Sequence, residues 1–189
     1  MAFDAFLKIE GVPGESTDDK HKDWIEVLSY NHAMSMPVSS TKSSAGGASS
    51  GRTQHGDFSI TKYVDLASPK LYEAVSNGKH LGTVKFEMCR AGGSQVPYMT
   101  ITLGQVLVSS VQQNGPTNIS NGDGTSDNPG LGVGRAGSSS LATSNADLLP
   151  TETVNFNYGT IEWNYTQQKR SDGSGGGSVN TKHDLTKNK

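Results

Sequence analysis

Five histidines and one cysteine are the residues of this chain best equipped for acid–base, metal or nucleophilic chemistry: His21, His32, His55, His80, His183 and Cys89. A metal site legible in sequence brings imidazoles together at short spacing, such as HxH or HxxxH. No two of the five stand at such a spacing, and each lies among polar or turn residues. They are expected as exposed or half-buried histidines, with no metal. Cys89 follows Met88 in an apolar strand pattern, which predicts a small buried hydrophobe and no nucleophile. A single cysteine excludes a disulfide within the chain.

Other short motifs fail on their surroundings. Residues 132–137, GVGRAG, match the dinucleotide fingerprint in letters, but SDNPGL precedes them where a strand is needed and SSSLATS follows where a helix is needed. Asn121, Asp123, Thr125 and Asp127 resemble the first half of a calcium loop. Ser126 then stands where the loop needs glycine, and Gly132 where it needs the bidentate glutamate. Asn118 and Asn164 begin sequons, with nothing to suggest a secretory route that would use them. No G-x-S-x-G elbow is present. Neither an enzyme nor a cofactor is expected.

The elements that must position these residues are strands. Apolar residues make up 32% of the 189 and charged residues 18%, both under the usual globular share. Gly, Ser, Thr and Asn fill the gap, which suits a β protein with long polar loops. A net charge of −2 gives no electrostatic case for nucleic acid or an anionic membrane, and no apolar run approaches membrane-spanning length. The opening MAFDAFLKIEG lacks the basic region of a Sec signal peptide.

Residues 2–9 alternate as a strand, with Phe6 out of pattern, and 15–23 form a charged loop. Residues 24–32, WIEVLSYNH, read as a strand with large residues on both faces, one that makes contacts on both sides. Strands follow at 54–63, 81–90, 97–103 and 106–111, then a pair within 151–165 and a polar terminal strand at 179–189. The one helix lies within 61–82: Ser68 as N-cap, Pro69 at N1, Leu71, Tyr72 and Val75 on the packing face, and Asn77-Gly78 as the stop. Residues 38–51 hold six Ser and three Gly, and 115–150 hold seven Gly, six Ser and four Asn with no aromatic. Both are expected as flexible loops, and 171–178 as a linker. The sum is one domain over 1–189, an antiparallel β-barrel of two sheets with one flanking α-helix.

Several stretches, in order, resemble the Hcp family, the haemolysin-coregulated proteins. They are GESTDDKHKDWIEVLSY at 14–30; TKYVD, SPKL and A-x-x-x-G-K-H between 61 and 80; CRAGG at 89–93; TLGQVLVSSV at 102–111; EWNYTQQ at 162–168; and the closing HDLTKNK. The resemblance spans the chain apart from the loops. It implies the subunit of the type VI secretion inner tube, in which homohexameric rings stack, a sheath contracts around the tube, a spike tips it, and small effectors ride in the lumen. It also implies assembly in the bacterial cytoplasm and export by the machine itself.

Two features depart from the family pattern: the long connection at 115–150, and His183 where a tryptophan is expected near the C-terminus. From the resemblance, Ser29, Asn31 and Ala33 are expected to face the lumen. The loop bearing Ser43, Ser44, Gly46, Gly47, Ser49 and Ser50 is expected to touch the next ring. The alternative is a monomeric effector- or ligand-binding β-barrel module whose Gly-rich insertion acts as a lid.

Overall fold

The computed structural model describes residues 3–38, 51–90, 96–115, 149–168 and 175–187. Among them the order is β1 (Phe3–Ile9), β2 (Ile25–Glu26), β3 (Ser29–Asn31), β4 (Met34–Ser35), β5 (Gln54–His55), β6 (Phe58–Tyr63), α1 (Ser68–Asn77), β7 (His80–Arg90), β8 (Pro97–Asn114), β9 (Thr151–Asn157), β10 (Thr160–Gln168) and β11 (Gly175–Asp184). The architecture is mainly β and antiparallel, with one helix. The main sheet runs β2-β1-β7-β8-β9-β6-β3, with β10 on β8 and β11 on β10, while β4 and β5 form a second, small sheet.

The 18-residue β8 belongs to both halves of the main sheet. Its first half lies between β7 and β10, and its second half pairs with β9. The buried positions change parity along it: Ile101 and Leu103 before the middle, Val106 and Val108 after. Strict alternation would turn one of these pairs to solvent. Gln105 takes a left-handed φ of 55° at the change, and the register with β9 shifts between Val108 and Ser110. The left-handed turn of the backbone at Gln105, which lies between the two pairs, keeps both halves facing one core. A side chain at Gly104 would collide with the Thr160 hydroxyl, so the strand needs glycine there.

The predicted single strand at 24–32 is two strands. Ile25 and Glu26 pair with β1, and Ser29 to Asn31 pair with β6. Between them the Val27 N–H donates to the Ala5 carbonyl at 2.9 Å, and the Leu28 N–H to the Thr61 carbonyl at 2.8 Å. The sheet path is therefore open at β2 and β3, and one chain segment bridges its two ends. Tyr30 reaches the core through the rings of Phe58 and Phe86.

Phe6 breaks the alternation of β1 because it serves the other face. Ala5, Leu7 and Ile9 enter the main core, while Phe6 is buried against the His21 ring. The linker expected at 171–178 is shorter, since β11 begins at Gly175 and pairs along β10 to Thr160.

α1 begins one residue earlier than its sequence suggests. Ala67 is the N-cap, and no side chain caps the helix. The Ser68 hydroxyl is drawn instead into a buried cluster: it donates to Glu152 at 2.8 Å and accepts from Lys62 and the Asp65 N–H. Gly78, φ 60°, ends the helix as expected, and the Lys79 N–H returns to the Ala74 carbonyl. Ser68, Leu71 and Ala74 are the buried face; Tyr72 and Val75 are half-buried beside it.

Lys62 and Glu152, adjacent across β6 and β9, meet under the helix at 2.8 Å with no exposed side-chain surface. Asp65 and the Tyr63 carbonyl take the other ammonium contacts, and the Tyr72 hydroxyl takes the second Glu152 oxygen. Burial raises the carboxyl, but the Lys62, Tyr72 and Ser68 hydrogen bonds outweigh it and hold Glu152 below its usual range. Removing one partner strands a buried charge. Lys62→Met is expected to destabilise the protein by about 3–5 kcal/mol, and Lys62→Met with Glu152→Met by clearly less. Urea unfolding followed by circular dichroism reads both, and a loss from Lys62→Met under about 1 kcal/mol contradicts the clamp.

Candidate functional site

The candidate assembly surface is the stretch 28–38. Ser29, Asn31 and Ala33 are exposed, as are Leu28, Tyr30, Met34, Met36 and Val38. Among the described residues β3 is paired by β6 alone, which leaves its other edge for a further strand. β11 is the opposite free edge, and its residues 176–182 are exposed. Ser43, Ser44, Gly46, Gly47, Ser49 and Ser50 lie outside the described residues, as does most of 115–150 with the glycine-rich and calcium-like motifs.

A charged cluster that the sequence concealed surrounds His21. His21 is buried, contrary to expectation, at 2% exposure. The loop carrying it closes on itself: the Gly14 N–H donates to Asp23, the Asp23 N–H to Ser16, and the Ser16 N–H to Trp24. Asp23 holds a left-handed φ of 61° at the turn, and a side chain at Gly14 would collide with the Trp24 carbonyl. His21 Nδ1 lies 2.7 Å from Asp18 and Nε2 lies 2.9 Å from Glu87, so two carboxylates grip one ring. The ring stacks on Phe6 at 4.2 Å and meets the edge of Trp24. Lys85 pairs with Glu87 at 2.6 Å and joins Lys8 over the Trp24 ring.

Cys89 Sγ lies 4.0 Å from His21 Nε2, and Asp18 holds the far nitrogen, an outline shared with nucleophilic triads. The chemistry does not follow. Nε2 is already engaged by Glu87, and burial, with help from the Glu87 charge, pushes the fully buried thiol up to about 11. The cluster ties the loop to β7 instead.

Three further histidines, far apart in sequence, converge. Tyr158 Oη lies 2.6 Å from His32 Nε2 and 3.0 Å from His55 Nδ1. His183 stacks on His55 at 5.0 Å with the rings 4° from parallel. Among the described residues no group of three or more His, Cys, Asp or Glu is placed to hold a metal ion. His80 is exposed at the start of β7. His183, at the expected tryptophan position, thus supplies a flat ring to the same neighbourhood. The missing signal was the pairing of distant strands: β10 against β11 sets Ile161 opposite His183.

Burial raises the Glu87 carboxyl, while Lys85 and His21 lower it more, so the net shift is downward. Folding therefore favours the ionised form. That stability is complete above the unfolded value near ~4.3 and is lost as pH falls through the lower native value. Glu87→Gln should be less stable than the parent at neutral pH, with the gap narrowing in acid. Urea midpoints between about pH 7 and about pH 2.5 check this, and a gap that is constant with pH contradicts it.

Known proteins share this architecture and sequence. The family model for the type VI secretion system effector Hcp matches residues 6–165. Protein hcp1 of Pseudomonas aeruginosa is 35% identical over 180 residues, covering 95% of this chain and 93% of that protein. A solved type six secretion system protein is 31% identical with a TM-score of 0.78, covering 100% of this chain and 99% of that one. Hcp1 from Salmonella typhimurium is 27% identical with a TM-score of 0.67, again over 100% and 99%. With the mixed strand order, the lone flanking helix and the matched motifs all in register, the chain belongs to the Hcp family of type VI secretion proteins.

Proposed function

We propose that this chain is the structural subunit of a type VI secretion tube, forming homohexameric rings that stack. The observation carrying this is the exposed stretch 28–38 on a chain the Hcp model covers from 6 to 165. Leu28, Tyr30, Met34, Met36 and Val38 leave apolar surface exposed in the monomer. Two free strand edges, at β3 and β11, suit a heterologous contact that closes into a ring. In this reading Ser29, Asn31 and Ala33, small or polar, face the lumen and small effector proteins held there. Residues 43–50 touch the next ring. The tube forms in the cytoplasm within a contractile sheath, carries a spike at its tip, and is expelled by the system.

A cleft of about 510 Å³ favours a second reading, a small-ligand barrel. It opens between β8, β10 and β11 beside Thr102, Glu162, Lys182 and His183. A monomer that binds a small molecule tightly is the signature of that reading.

Each ring contact should bury well over about 1,000 Å², so rings should survive dilution. Sedimentation of the purified 20.0 kDa chain is expected to give six-subunit particles; a strict monomer contradicts the ring. Deleting 43–50 should leave the hexamer intact and impair tube growth, and loss of the hexamer itself would move that loop into the ring interface.

A further inference from the structure

The second sheet is poorly anchored by itself. β4 and β5 share two residue pairs, Met34 with His55 and Ser35 with Gln54, and among the described residues no strand of the main sheet joins them. The Gly56 N–H donates to the Ala33 carbonyl at 2.9 Å at their base. What ties this hairpin to the body is a set of aromatic rings. His55 on β5 reaches Tyr158, in the turn between β9 and β10, and stacks on His183 of β11. His32, just before β4, meets the same Tyr158 hydroxyl and lies against Phe58 and Trp163.

A hydroxyl has one proton. With both imidazoles neutral, Tyr158 donates to one ring nitrogen and accepts an N–H from the other, and every polar atom is satisfied. A second proton on the rings makes both contacts donors toward Oη, and the hydroxyl proton loses its acceptor. It also places cations at His32 and His55, whose ring centres are 6.4 Å apart, and against the parallel His183 ring at 5.0 Å. Among the described residues no carboxylate forms an ion pair with these three rings, and the carboxylate pairs of histidine are those of His21. The carboxylates nearby, Asp57 (whose charge acts on Tyr158), Asp184 and Glu162, are hydrogen-bonded to other side chains. Asp57 accepts from Ser109 and Asn157, and Asp184 from Thr186. Glu162 accepts from Asn180, while Lys182 adds positive charge on β11.

We infer that His32, His55, His183 and Tyr158 form an acid-released latch that fixes the paired strands β4 and β5 at neutral pH. His32 and His55 are neutral, and His55 is stacked on His183, when the latch is closed. Protonation drives them apart and frees the hairpin from β11 and the β9–β10 turn. Burial first, and the neighbouring charge second, holds the native values of His32 and His55 below the ordinary one. The unfolded or opened state then binds protons more readily, so opening is favoured as pH falls below about 6.5. The latch does not depend on the tube reading.

Amide hydrogen exchange of the full chain tests this, with rates corrected for intrinsic pH dependence. Protection at Gly56 and across β4 and β5 should fall by more than about tenfold between about pH 7.5 and about pH 5, while the centre of β8 stays protected. In the triple variant His32→Gln, His55→Gln, His183→Gln, whose amides do not titrate, that pH dependence should vanish. Proton NMR titration of the unmodified chain gives a second readout. The His32 and His55 ring signals should titrate together with the hairpin amides. Protection independent of pH, a fall that persists in the triple variant, or rings that titrate without the hairpin overturns the latch. Sedimentation of the same samples at neutral pH separates the two readings: absence of rings counts against the tube and leaves the latch standing.

Discussion

The structure depends on one strand having to serve two pairings. β8 hydrogen-bonds to β7 and β10 with its first half and to β9 with its second. Its core-facing residues must change parity at the crossing, from Ile101 and Leu103 to Val106 and Val108. The left-handed Gln105 and the close approach at Gly104 are the local cost of that change. Without it, one half of the sheet would turn its apolar side outward. The segment 25–31 answers the same problem at the other end, where Val27 and Leu28 pass the chain from β1 to β6. Together they wrap the sheet around one core that runs from Leu7 to Phe156.

Two buried charge clusters then fix the parts a sheet cannot hold. The Lys62–Glu152 pair sits under α1 and draws in Ser68 and Tyr72, which explains why the first helical serine has no capping role. Tyr72 is pushed up to about 12 by its burial and by Glu152, so it stays a neutral donor to that carboxylate. The His21 cluster does for the loop at 14–24 what the lysine does for the helix. Both clusters leave their partners' hydrogen bonds satisfied, which is the condition for buried charge to be tolerated. Neither is placed to do chemistry.

Much of this was legible in residue pattern. Alternation located the strands, Gly78 located the helix end, and Cys89 read correctly as buried packing. The misses share a cause. Phe6 looked like a defect in β1 until the loop bearing His21 covered it. Lys62 and Glu152 carry no sign of each other in the sequence because they are 90 positions apart and meet through the β6–β9 register. His32, His55 and His183 looked unrelated for the same reason. Periodicity reports which face a residue takes; it does not report which distant strand lies opposite. The strand at 24–32 was read as continuous because both faces are apolar in part, and only hydrogen bonding shows it changing partners.

The family assignment rests on motifs that the fold explains in part: TLGQVLVSSV contains the bend of β8, and EWNYTQQ lies along β10 between β8 and β11. The proposed assembly draws on the exposed stretch 28–38 and on the strand edges left unpaired among the described residues. Electron microscopy of the purified chain tests this most directly. Class averages are expected to show annular particles with sixfold symmetry and an open centre, some of them end to end in short stacks. Particles without a central opening, or a field with no rings at concentrations where the chain is folded, would contradict the account.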